Sequence, residues 1–119
     1  MTLGLQEQQH HGVAMIDSGS MVSVLPYQVG LKLGGKWGAG KPLKLTGNLA
    51  RLPAFPLLLK ASIEGFDPVA LAFAWTLFED APLLLGQMNF FSLFDVSFSG
   101  SRQTLRLKRS TVATLLPLP

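Results

Sequence analysis

A chain of 119 residues, 48% hydrophobic and only 14% charged, carries enough apolar material for one domain around one core and too few charges for a disordered one. Ten basic against seven acidic residues leave a net charge of +3, too small to argue for nucleic acid as a partner. The absence of cysteine excludes disulfides and thiolate-held metal, and no apolar run reaches the roughly 18 residues that a membrane span needs. Residues 1–11 are polar and lack a basic start followed by a hydrophobic stretch, so no signal peptide is expected. A cytoplasmic location is the default, with the proviso that the natural chain may begin further upstream.

In chain order, residues 2–5 read as a short strand, 6–9 as a polar turn and 12–16 as the return strand of a hairpin. Residues 18–20 form a loop and 21–25 continue extended. Pro26 suits the first turn of a helix over 27–33, which Gly34 and Gly35 stop. Residues 36–41 read as loop. Leu43 and Leu45 alternate with Lys44 in one arm of a second hairpin (42–46), Gly47-Asn48 is a turn pair, and 55–63 is the other arm. A turn at 65–68 leads to a strand over 69–75 that is apolar on both faces, so it belongs inside a sheet or at an interface. Residues 79–82 break it, 83–85 form a short buried strand ending at Gly86, and 87–94 read as a helix. A strand through Val96 and Phe98, a turn at Gly100-Ser101 and a last strand over 104–108 follow. The prolines of the tail, 110–119, leave it without regular structure. The expectation is a single all-β domain, mainly β with one or two short helices and a core spanning about 12–108.

The candidate chemistry lies at Asp17-Ser18-Gly19-Ser20, entered from the apolar run Val13-Ala14-Met15-Ile16. A carboxylate beside an apolar strand is usually paired or put to use. Alone the motif is weak: Asp-[Ser/Thr]-Gly arises by chance in about one such chain in twenty, and a turn-forming Asp explains it. The chain has no second copy of the motif, so if Asp17 is half of a carboxylate pair, a second copy of the protein must supply the other half. His10 and His11 are read as solvated turn histidines, because neighbours on a strand point to opposite faces and no third ligand is evident; no metal is expected. Asp95 borders the last strand. Gly34, Gly35, Gly38 and Gly40 lack the preceding strand and the Ser or Thr of a phosphate loop. Phe90, Phe91 and Phe94 sit at helical spacing and belong to the core; Trp75, at the end of an apolar strand, is read as core or interface packing rather than as lining a peptide groove. Arg102, Arg106, Lys108 and Arg109 are read as the wet face of an amphipathic strand, not as a polyanion patch.

Three ordered segments together resemble the retropepsin-like aspartic proteases, the single-domain relatives of pepsin. These are 14–20 with Val22-Ser23-Val24-Leu25-Pro26 behind it; Leu83-Leu84-Leu85-Gly86; and 89–98 closing at Thr104-Leu105-Arg106-Leu107. The resemblance implies a closed acid-protease β-barrel, one lobe per chain, working as a homodimer on a peptide or protein substrate without cofactor or metal. It implies that Asp17 is the catalytic residue and that two of them, about 3 Å apart and sharing a proton, activate a water. Ser18, Gly19 and Ser20 would support the loop, with the Ser18 hydroxyl bonding across the dimer and Gly19 letting its amide approach the carboxylate. Leu84, Leu85 and Gly86 would form the adjacent strand, and Thr46, Gly47, Asn48 and Leu49 the tip of a flap over the substrate. The chain departs from the family at the flap, which has a single glycine; at Gln87, where retroviral members carry Arg; and in its short N-terminus. The flap and Gln87 motivate an alternative, a catalytically inactive retropepsin-like module that binds peptides or dimerises.

Overall fold

The computed structural model describes residues 1–44, 53–78, 80–101 and 104–110, and these are mainly β with no long helix. The strands are β1 (Thr2–Leu5), β2 (Gln8–His11), β3 (Met15–Ile16), β4 (Ser23–Pro26), β5 (Ala54–Ser62), β6 (Val69–Thr76), β7 (Leu84–Leu85), β8 (Phe94–Ser99) and β9 (Thr104–Arg109). Among the described residues, α1 spans Tyr27–Lys32 and a π-helical turn spans Gln87–Phe91. No helix of the described residues is long and apolar enough to cross a membrane.

Seven strands form one sheet in the order β2-β1-β5-β6-β4-β7-β3, while β8 and β9 form a separate antiparallel hairpin. The large sheet curls into a half-barrel whose edges are β2 and β3. It is thus open among the described residues, where a closed barrel was expected. β5 and β6 are its backbone, paired from Ala54↔Thr76 to Ala61↔Val69. On β6, Leu71, Phe73 and Trp75 point into the core, and Ala74 and Thr76 are buried on the other face. That two-sided burial fits a central strand, as its uninterrupted apolar sequence implies. β1 covers only Lys60–Ser62 of β5, so Pro56 falls where that side of β5 has no described partner strand and its missing N–H is tolerated.

Trp75 organises the helical end of the sheet. Its indole N–H donates to the Tyr27 carbonyl at 3.0 Å, and its ring stacks on Tyr27 and meets Trp37 edge-on at 5.0 Å. Trp37 in turn meets Phe55 edge-on at 4.9 Å. Gly30 of α1 packs so closely on the indole that a β-carbon there would collide with the ring. Past the helix, Gly34 turns the chain at φ +85°, a backbone state that glycine adopts freely. Phe90 and Phe94 stack with centroids 5.1 Å apart and are fully buried; Phe91 packs beside them, so this aromatic cluster is core.

Several expected boundaries move. The first hairpin returns through Gln8–His11 across a two-residue turn at Gln6-Glu7, not through 12–16, of which only Met15 and Ile16 are strand. His10 and His11 therefore lie on an edge strand rather than in a turn, and His11 Nδ1 is 2.7 Å from the Thr2 hydroxyl. In the arm expected over 42–46, the described residues contribute one bridge, Leu43↔Ala54, in place of a strand. The expected helix over 87–94 is a π turn over Gln87–Phe91 that runs through helical Ser92 and Leu93 into β8, to which Phe94 already belongs. Arg109 leaves the expected wet face: its guanidinium donates to the Leu93 carbonyl at 2.7 Å and lies over the Phe94 ring.

Candidate functional site

Asp17 follows β3 directly and sits half-buried at the head of a loop that runs back into β4. Between these two strands lies β7, parallel to β3 (Met15↔Leu84, Ile16↔Leu85) and antiparallel to β4 (Val24↔Leu84). The 17–22 loop thus arches over the end of β7. Local sequence explains the arrangement in part: apolar strand residues give way to Ser18-Gly19-Ser20, whose small side chains permit a tight turn. Tertiary pairing supplies the rest, because the Asp17 N–H donates to the Leu85 carbonyl at 3.0 Å and the Met15 N–H to the Leu83 carbonyl at 2.8 Å.

Within the loop, Asp17 Oδ1 accepts the Gly19 N–H at 2.8 Å, and the Ser20 N–H donates to the Asp17 carbonyl at 3.2 Å. A β-carbon on Gly19 would lie 3.2 Å from the same carboxylate oxygen, tighter than ordinary contact. Ser20 Oγ donates to the Val22 carbonyl at 2.8 Å, while the Ser18 side chain is exposed. Asp17, Ser18, Gly19, Ser20, Leu84, Leu85 and Gly86 are therefore gathered at one end of the β3–β7–β4 unit. Thr46, Gly47, Asn48 and Leu49 lie outside the described residues; Leu43 and Ala54, bridged at 2.7 Å, bring the flanks of their segment together.

Beneath the loop, Gly86 is a steric requirement. A side chain there would run into the carbonyls of Val22 and Ser20. Its N–H donates to the hydroxyl of Ser23, which is 1% exposed, at 3.1 Å. The next two residues open the π turn, and their N–H groups, which no helical carbonyl can satisfy, are taken up by the loop: Gln87 by the Ser20 carbonyl at 2.8 Å, Met88 by the Met21 carbonyl at 2.9 Å. The Gln87 side-chain amide donates to the Ser18 carbonyl as well. The loop caps the helical turn, and the turn holds the loop.

Ser23 is a contributor that sequence reasoning did not place in the site, and Gln87, noted there only as a departure from the family's Arg, proves to bond the loop itself. The signal for Ser23 was a hydroxyl inside the apolar run Met21-Val22-Ser23-Val24-Leu25, where a buried polar group demands a partner. Around the loop the surface is apolar: Met15, Met21 and Met88 are each more than half exposed. Compared with protein-family models, with curated proteins and with solved structures, the chain has no match.

Proposed function

We propose that this chain is one half of a retropepsin-like aspartic endopeptidase, completed by a second copy. The observation that carries the reading is the Asp17 loop itself. A lone carboxylate is held half-buried by its own loop amide, on a short strand pair with an inserted third strand and an obligatory glycine beneath. Such a group is preorganised, and preorganisation is what acid–base chemistry requires of it. The exposed methionines beside it, Met15, Met21 and Met88, supply an adaptable apolar surface of the kind that a partner copy covers.

In the assembled site, one Asp17 takes a proton from water as the water oxygen bonds to the scissile carbonyl carbon. Its mate gives its proton to the carbonyl oxygen. The tetrahedral diol then collapses: the C–N bond breaks as the protonated Asp17 gives its proton to the leaving amine, the other Asp17 takes a diol hydroxyl proton as the C=O re-forms, and the dyad again shares one proton. Asp17→Asn is expected to remove cleavage of a peptide library while leaving the fold and the sedimentation behaviour intact. Cleavage that persists in purified Asp17→Asn would sink the proposal. A second reading, an inactive peptide-binding or dimerisation module, draws support from Gln87, an uncharged residue whose amide is spent within its own subunit. It predicts peptide binding without cleavage at any pH, in wild type and Asp17→Asn alike.

A further inference from the structure

We propose that Gln87 is the positioning residue of the Asp17 carboxylate, acting through the Ser18–Gly19 peptide group; its catalytic consequence rests on the peptidase reading above. The Ser18 carbonyl and the Gly19 N–H are the two ends of one planar peptide unit. The Gln87 amide donates to the carbonyl end, and the N–H end donates to Asp17 Oδ1 at 2.8 Å. Fixing the plane at its oxygen therefore fixes the direction from which its N–H meets the carboxylate. A hydrogen bond to the carbonyl also polarises the unit and strengthens the bond its N–H gives. The other two ties between turn and loop, Gln87 N–H to Ser20 and Met88 N–H to Met21, are made by backbone and persist whatever side chain stands at 87. The tie to Ser18 alone depends on residue type, and it reaches the peptide unit that touches Asp17.

Gln87 is exposed, so the bond adds little to the stability of the fold and its loss is read locally. Three variants of the whole chain separate reach from chemistry. Gln87→Met keeps the length and loses the donor; Gln87→Asn keeps the amide but falls a methylene short; Gln87→Lys keeps a donor of sufficient reach. Amide hydrogen exchange at Gly19, followed by NMR, is expected to quicken about three- to tenfold in the Met and Asn variants. It should return toward wild type in the Lys variant, with exchange at Leu71 and Phe73 unchanged in all three. In peptide cleavage, kcat is expected to fall about tenfold in the Met variant with KM within about twofold, and to recover with Lys. Unchanged Gly19 exchange in Gln87→Met, or failure of Lys to restore it, overturns the proposal. So does quickened exchange with unaltered kcat in an active enzyme. If wild type cleaves nothing, the peptidase reading falls, and the exchange series still decides whether Gln87 holds the loop.

Discussion

Two glycines and a serine show how single atoms decide this structure. Gly30 lies inside α1, where alanine would ordinarily gain about 1 kcal/mol of helix propensity. Here its β-carbon would strike the Trp75 indole, and overpacking of that kind costs about 1–3 kcal/mol, so propensity loses. Gly30→Ala is expected to lower unfolding stability by up to about 2 kcal/mol, read from a urea titration followed by tryptophan fluorescence. Ser23→Ala should cost about 1–3 kcal/mol, because it strands the buried Gly86 N–H without an acceptor. Gly86→Ala drives a methyl into the backbone of the Asp17 loop, which no rotamer change relieves. At least about 3 kcal/mol of destabilisation is expected, together with loss of any activity. A Gly86→Ala protein as stable as wild type in the same titration would show that the loop is not seated on β7.

At the scale of elements, the departures from expectation share a cause. Local pattern marks apolar alternation, and it pointed to 12–16 as the first return strand. The chain instead pairs β1 with the polar Gln8–His11, an edge strand largely exposed to water, where register and backbone hydrogen bonding matter more than side-chain burial. The turn between them places Gln6 at φ +55°, a region costly for residues with a β-carbon. Gln6→Gly is expected to stabilise the protein by up to about 1 kcal/mol, seen as a higher denaturation midpoint with an unchanged slope. The π turn at Gln87–Phe91 has a similar origin. Phe90 must reach the core while residues 87 and 88 keep their N–H groups on the loop carbonyls, and a widened turn satisfies both.

For the whole molecule, the decisive question is association. One chain presents one Asp17 carboxylate, and the described surface beside it is rich in exposed methionine. Farther out, the inward face of the β8–β9 hairpin runs from Phe94 and Arg109 through Val96 and Leu107, which pack on the core, to Phe98 and Leu105, which remain exposed. Sedimentation velocity is expected to show a monomer–dimer equilibrium. Specific peptidase activity should rise with chain concentration in the same range, since the dimer varies with the square of the monomer at low occupancy. A chain that stays monomeric at every attainable concentration yet cleaves peptide at a constant specific rate would contradict the shared site.

The strands at 2–5, 55–63, 69–75, 83–85 and 104–108, the central place of 69–75, the aromatic core and the position of the Asp17 turn were legible in the residues, whereas the first return strand and the π turn were not. Each legible feature rests on local periodicity, on glycine and proline, or on the cost of burying a carboxylate. Nothing local specifies that β7 slots between β3 and β4, that the helical turn 69 residues beyond Ser18 closes on the loop carbonyls, or that the large sheet stays open among the described residues. Those outcomes are pairings between distant backbone groups, chosen because every buried N–H and carbonyl must find a partner within the fold. The sequence supplies a carboxylate, a turn and, through the resemblance, a neighbouring strand at 84–86; only the tertiary structure inserts that strand between β3 and β4 and brings Ser23 and Gln87 to hold the loop.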